Sequence, residues 1–250
     1  MAVICIDAGN TFVKVALVEQ ARVHSLAAVP ADDVGALREH IRLLPFAEGG
    51  IICSVNRPGA EIMECLASRT SFCMELTDKT PIPVRNLYRT PDTLGKDRLA
   101  AVVGAYSLYP GKNVLVIDAG TALTFDFLDD TGNYRGGNIS PGLQMRFRAL
   151  HDYTQGLPLL EPERDGRLMG DSTHSAIILG IQNGIVFEMK HYICHFKEHD
   201  PEMIVVMTGG DINFFADRLE TVIFAEPNLV HIGLEKIVKL NLNDHEDKCL

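Results

Sequence analysis

Two stretches far apart in the chain decide the fold: Val3-Ile4-Cys5-Ile6-Asp7-Ala8-Gly9-Asn10-Thr11 and Val114-Leu115-Val116-Ile117-Asp118-Ala119-Gly120-Thr121. Each is an apolar, β-branched run of strand length that ends on Asp-Ala-Gly. Each is followed by a second strand-like run, Phe12 to Val18 in the first case and Ala122 to Leu128 in the second. The pattern predicts two hairpins whose turns carry Asp, Gly and Thr. An internal repeat of this kind sets the architecture before any single element is assigned.

Outward from the first hairpin, the pattern predicts a third strand at Val23–Val29 and a helix at Ala31–Leu44 behind Pro30. Strands at Ile51–Val55 and Phe72–Leu76 flank a helix near Glu61–Ser68. A long helix follows at Thr93–Leu108, with Thr93 as N-cap and Pro110-Gly111 as its stop. Outward from the second hairpin, Gly136-Gly137-Asn138-Ile139-Ser140-Pro141-Gly142 reads as a strand or a turn. Helical pattern resumes at Leu143–Leu150, Thr173–Asn183 and Ile185–Lys197. A buried strand, Met203–Met207, runs into Thr208-Gly209-Gly210-Asp211, and Leu234–Leu240 reads as a closing helix before a solvated tail after Asn241. The result is an α/β chain of two related halves, residues 1–110 and 111–250, expected to pack tightly with a cleft between them.

Composition bounds the function. The 250 residues are 46% hydrophobic with a formal net charge of −10. That acidity disfavours nucleic acid, whose binding rests on neutralising phosphates. An anionic small substrate would need local cations, from a metal, a lysine or a helix N-terminus. No apolar run approaches the roughly 20 residues that span a bilayer, and the start lacks a charged leader, so a soluble cytoplasmic protein is expected. The six cysteines form no CxxC pair and read as reduced structural thiols. Neither GxxxxGK[ST] nor GxGxxG occurs, which removes the P-loop and Rossmann routes to a nucleotide.

The first hairpin turn, Asp7 to Thr11 with Lys14 three residues on, carries the residue types of a phosphate loop. Glycine lets backbone N–H groups approach phosphate oxygens, Asn and Thr add donors, and Asp7 suits Mg²⁺. An ordinary hairpin turn is the alternative, and the repeat at Asp118-Ala119-Gly120-Thr121 argues against it. Thr208-Gly209-Gly210-Asp211 suits either an adenosine against backbone or a plain strand-to-helix turn. Tyr88, Pro91 and Gly95-Lys96-Asp97-Arg98 form the remaining candidate. A carboxylate at a helix start can take the proton of an attacking hydroxyl, and Arg98 offers a planar fork to a carboxylate. An exposed Asp-Arg pair on a helix surface is the other reading.

Taken in order, Asp7-x-Gly9-Asn10-Thr11-x-x-Lys14, Tyr88, Gly95-x-Asp97-Arg98, Asp118-x-Gly120-Thr121-Ala122, Gly136-Gly137-x-Ile139-x-Pro141-Gly142 and Thr208-Gly209-Gly210-Asp211 closely resemble type III pantothenate kinases over nearly the whole chain. The resemblance implies two duplicated actin-like (ribonuclease H-like) domains with a nucleotide cleft between them. It implies that Asp7, Ala8, Gly9, Asn10, Thr11, Phe12, Val13 and Lys14 bind the phosphates of ATP with Mg²⁺, and that Thr121 also contacts ATP. Tyr88, Gly95, Lys96, Asp97, Arg98 and Thr173 would contact pantothenate, with Asp97 as proton acceptor. Asp118 would hold a monovalent cation, K⁺ or NH₄⁺, and the protein would be a homodimer. Ala8 stands where many members have a larger aliphatic residue, and Phe12 where many have a polar one.

Two other readings stay in view. A non-enzymatic accessory or regulatory protein could keep the actin-like ATP-binding fold, though it need not keep Tyr88, Asp97 and Arg98. A sugar or acetate kinase of the same superfamily is the second. His191, His195 and His199 share one helix face at i, i+4 and i+8, but lack the acidic partner of an HExxH site; a solvated or dimer-facing face is expected.

Overall fold

Val3, Ile4, Cys5 and Ile6 are all buried, so strand β1 (Ala2–Ala8) has to lie in the middle of a sheet, covered on both faces. A computed structural model, which describes residues 1–9, 11–54 and 60–247, places it there. β1 pairs antiparallel with β2 (Phe12–Glu19), which pairs antiparallel with β3 (Arg22–Pro30). On its other side β1 runs parallel to β4 (Ala47–Ser54), and β4 to β5 (Thr70–Glu75). The order is β3-β2-β1-β4-β5. Val55, the expected end of β4, and Asn10 lie outside the described residues.

The same order recurs. Strands β7 (Val114–Ala119), β8 (Ala122–Leu128), β9 (Asn133–Pro141), β10 (Ile204–Thr208) and β11 (Phe224–Ala225) are arranged β11-β10-β7-β8-β9. β7 is antiparallel to β8 and parallel to β10. The repeated Asp-Ala-Gly hairpin is therefore the visible part of a duplicated sheet. A two-residue strand, β6 (Arg85–Asn86), pairs with the start of β9 at Asn133 and Tyr134.

The chain divides into two compact units, neither continuous in sequence. The first comprises residues 1–111, 129–135 and the segment from Asn228 onward; the second comprises 112–128 and 136–227. In the first unit, helices α1 (Val34–Leu43) and α2 (Ala60–Ala67) cover Ile4, Ile6, Val13, Val15 and Ile52. Alternation turns Val3, Cys5 and Asp7 to the opposite face, where α3 (Lys96–Leu108) and α7 (Leu229–Asp247) pack. In the second unit, α4 (Leu143–Asp152), α5 (Thr173–His199) and the single turn α6 (Ile212–Phe215) share a core with Leu115, Ile117, Phe125 and Met207.

Four elements differ from the sequence expectation. α1 begins at Val34, because the Asp33 carboxylate caps it by accepting from the Ala36 N–H at 2.9 Å. Thr93 does not cap α3: its N–H and its hydroxyl both donate to the Thr90 carbonyl, and the helix starts after Gly95. The two helices expected on either side of Gly184 are one helix, α5. The glycine penalty of about 1 kcal/mol is outweighed by an unbroken ridge of Ile177, Ile181, Ile185, Met189 and Ile193 in the core. α7 runs on through the expected tail to Asp247 and belongs to the first unit.

Two glycines explain where α7 sits. A Cβ on Gly233 would lie 1.8 Å from the Ala100 carbonyl oxygen, and one on Gly104 would lie 2.3 Å from the Leu229 carbonyl oxygen. α3 and α7 touch backbone to backbone there. Gly233→Ala is therefore expected to destabilise the protein by about 2–3 kcal/mol, as overpacking against backbone does. Thermal unfolding measures this; an unchanged midpoint would mean that the helices are free to separate.

Candidate active site

β1 ends by bringing Asp7 opposite Lys14 on β2 and beside Cys53 on β4. Asp7 is on the face covered by α3 and α7. Burial pushes its carboxyl up to about 6, the like charge of Asp97 adds to this, and Lys14 opposes it. Burial, then Asp7 and Asp97, also raise the Cys53 thiol, with Lys96 opposing. Asp7, Lys14, Lys96 and Asp97 thus form one electrostatic cluster on one face of one sheet. In the hairpin itself, the Gly9 N–H donates to the Phe12 carbonyl at 3.1 Å. Thr11 and Phe12 are exposed, whereas the Val13 side chain is buried in the core, leaving only its backbone for a ligand.

Asp97 occupies the first turn of α3, in the positive potential of the helix start. One of its carboxylate oxygens accepts from the Arg98 N–H at 2.8 Å. A Cβ on Gly95 would stand 2.6 Å from that oxygen, so the glycine makes room for the carboxylate. Lys96 Nζ donates to the Pro91 carbonyl at 3.3 Å, tying the helix start to the preceding loop.

Arg98 is 6% exposed. Its Nη2 donates to the Tyr134 hydroxyl at 3.2 Å, and its guanidinium lies 5.7 Å from the centre of the Tyr88 ring. The Tyr88 and Tyr134 rings are parallel within 5°, their centres 6.1 Å apart. Pairing of β6 with the start of β9 fixes both rings, since the Leu87 N–H donates to the Tyr134 carbonyl at 3.0 Å. The turn before Tyr134 is tied to Asp129, which accepts from Thr131, Asn133 and Arg135 and is held well below the usual carboxylate range by those bonds, against its burial. Tyr134 was not among the residues singled out from sequence. The available signal was a tyrosine in a strand, whose buried hydroxyl needs a partner.

In the second unit, Asp118 ends β7 opposite Thr124. Gly209 has φ +97°, and a Cβ there would lie 2.5 Å from the Asp118 carboxylate and 2.4 Å from the Ala119 carbonyl oxygen. The Asp211 N–H donates to that same carbonyl at 2.9 Å. Asp211 stands at the N-cap of α6 but makes no side-chain capping bond. The Gly142 N–H donates to the Thr121 carbonyl at 3.2 Å, in a contact too close for a side chain on Gly142. The three glycine-bearing segments of this unit, at Asp118–Thr121, Pro141–Gly142 and Thr208–Asp211, are thereby gathered at one place. Thr173 opens α5 behind a Ser172–Ser175 capping box and is exposed. His191, His195 and His199 do line one face of α5, with neighbouring ring centres 6.5 and 5.3 Å apart. Among the described residues, no group of three or more His, Cys, Asp or Glu could hold a metal.

The family profile of type III pantothenate kinase matches residues 3–195. A type III pantothenate kinase of Phocaeicola vulgatus is 42% identical over 236 residues, covering 94% of this chain and 97% of the relative. One from Bacteroides fragilis is 41% identical over 242 residues, with the same coverage. The chain belongs to the type III pantothenate kinase family. Among solved structures, a Campylobacter jejuni protein assigned to the Baf family of transcriptional activators is similar over 96% of this chain and 99% of its own, with a TM-score of 0.61 at 22% identity. A Sinorhizobium meliloti protein assigned as a 2-dehydro-3-deoxygalactonokinase gives 0.58 at 14% identity, over 95% of this chain and 98% of its own. These likenesses speak to the fold, which is the duplicated actin-like one.

The residues present suit the divalent cation of a kinase of this family. Asp7 is a partly buried carboxylate pressed by a second one, an arrangement that a hard cation relieves. Around Asp118, the carboxylate, the Ala119 carbonyl and the Gly209 backbone are packed so closely that a side chain at position 209 would overlap them.

The raised Asp7 carboxyl gives a signed prediction. A folded-state value of about 6 against an ordinary 3.8 means that stability is lost as pH rises from about 4 through 6, and the ligand-free fold carries the penalty above that. Asp7→Asn should therefore stabilise the ligand-free protein at pH 7.5, by on the order of 1–2 kcal/mol, with the gain fading towards pH 4. Thermal unfolding at pH 4, 6 and 7.5 tests this, and a destabilised variant at pH 7.5 would show that the Lys14 attraction outweighs burial.

Proposed function

We propose that the protein transfers the γ-phosphoryl group of ATP to the primary hydroxyl of pantothenate, giving 4′-phosphopantothenate, the first step towards coenzyme A. The observation that carries this reading is the frame around Asp97: a carboxylate in the first turn of α3, directly followed by a buried arginine that is held by Tyr134 and faced by Tyr88. Family membership supplies the substrate class, and the frame supplies the acceptor chemistry.

Asp97 takes the proton of the pantothenate hydroxyl as that oxygen attacks the γ-phosphorus, the bond from phosphorus to the β–γ bridging oxygen breaks with ADP as leaving group, and the proton stays on the Asp97 carboxylate. Arg98 has a preset fork for the substrate carboxylate, and Tyr88 packs beside it. The backbone at Ala8, Gly9, Asn10, Thr11, Phe12 and Val13, with Lys14, holds the ATP phosphates. Mg²⁺ held by Asp7 would supply neutralisation of the charge that spreads over the transferring group. Thr121 contacts ATP, Asp118 holds the monovalent cation, and Gly95, Lys96 and Thr173 complete the pantothenate contacts.

A homodimer and a cytoplasmic location belong to the same reading. Exposed Phe187 and Met145 on α5 and α4 support the dimer. Among the described residues no helix is long and apolar enough to cross a membrane. The accessory-protein reading is not favoured: the family match and the intact Tyr88, Asp97 and Arg98 speak for an enzyme.

ATP consumption with and without pantothenate, in K⁺ and then Na⁺ buffer, tests the proposal. Turnover should require pantothenate, be faster in K⁺, and fall at least about 10²-fold in Asp97→Asn, the scale of a lost general base. Clear ATP binding without pantothenate-dependent turnover would return the accessory-protein reading. Arg98→Lys should raise the pantothenate KM by about tenfold or more, because a lysine cannot offer a two-point fork; an unchanged KM would place the substrate carboxylate elsewhere.

A further inference from the structure

His231 on α7 is 2% exposed, and among the described residues neither ring nitrogen has a hydrogen-bond partner. The backbone of Lys14 is in reach of the ring, but the pair falls short of hydrogen-bond geometry. A buried polar ring left in this state costs about 1–3 kcal/mol that an aliphatic side chain would not. Packing alone therefore does not account for a histidine here.

Its location is fixed from two directions. The Cys5 thiol donates to the His231 carbonyl at 3.6 Å, anchoring the residue to β1 two positions before Asp7. Two residues further along α7, Gly233 presses on the Ala100 carbonyl of α3, the helix that carries Asp97 and Arg98. His231 thus stands where the lysine strand, the Asp7 strand and the Asp97 helix are tied together. We infer that His231 is a positioning residue for Lys14: its rigid ring braces the β2 backbone at the point from which the lysine ammonium reaches phosphate. Burial and the Lys14 charge both hold the imidazole far below its ordinary value, at about 4, so it braces the cation without repelling it.

This rests on the reading of Lys14 as a phosphate-binding residue, and a double-mutant cycle separates the two. Calorimetry would give the Kd of ATP with Mg²⁺, pantothenate absent, for the wild type, His231→Leu, His231→Gln, Lys14→Ala and the His231→Leu/Lys14→Ala pair. Expected is a weakening of about tenfold in His231→Leu and in His231→Gln, neither of which keeps a rigid ring, and of less than about twofold when His231→Leu is made on Lys14→Ala. The pantothenate KM should stay within about twofold in both His231 variants. Equal weakening in the two Lys14 backgrounds, no weakening, or parallel loss for both substrates would overturn the positioning role. Should Lys14→Ala bind ATP as well as wild type, the phosphate role of Lys14 fails first and the inference with it. Thermal midpoints identify any variant that has lost its fold, in which case His231→Gln, which also lacks a ring, takes the place of the leucine.

Discussion

Two carboxylates facing each other on one side of a buried sheet are the constraint on which the first unit depends. Asp7 ends a strand whose preceding residues, Val3 to Ile6, are all buried, and Asp97 begins the helix packed on the same face. Lys14 opposes the shift of Asp7, and the Asp7 carboxyl is nonetheless driven well above its ordinary range, to about 6. Such an arrangement persists only where the surrounding structure over-determines it. Here that structure is the β1–β4 pairing below and the glycine-spaced α3–α7 contact above. The raised Asp7 carboxyl is the cost that the ligand-free fold carries at neutral pH.

The hairpins, the longer sheet strands and the place of Gly95-Lys96-Asp97-Arg98 at a helix start were legible in the sequence because each rests on local signals, whereas the two-residue strands β6 and β11 were not. Apolar runs of strand length, Asp-Ala-Gly turns and a repeated motif all express themselves within a dozen residues. Even the helix boundary that was misplaced, at Thr93, failed locally: its hydroxyl turns back to the Thr90 carbonyl instead of forward to the helix, and the two uses of a threonine look alike in sequence.

What was not legible depends on distant contacts. Tyr134 becomes part of the Arg98 frame only because two residues of β6 pair with the start of β9. α7 reads as a closing helix of the second half, and its membership of the first unit is written in two glycines whose missing side chains matter only against Ala100 and Leu229. A lone histidine in an apolar helix pattern gives no hint of Lys14. Glu235 makes the same point one turn further on: its buried carboxylate accepts from the Ala21 N–H at 2.9 Å. It thereby secures a β2–β3 turn whose residues Gln20 and Ala21 both have positive φ without being glycine. Neither strand sequence announces that dependence.

The two halves share a topology but not a chemistry, and the difference is one residue long. Asp7 pairs with Lys14 across the first hairpin, whereas Asp118 pairs with Thr124 across the second, whose loop is one residue shorter. The same strand position thus carries a cation in one copy and a hydroxyl in the other. In the first copy the charge opposes two carboxylates on a face closed by helices. In the second, Asp118 meets a carbonyl oxygen and a glycine turn with φ +97° in place of a lysine. Duplication supplied two equivalent strand ends, and the substitution at one register position divided them into an end that sets a lysine against its carboxylate and an end that sets a threonine there.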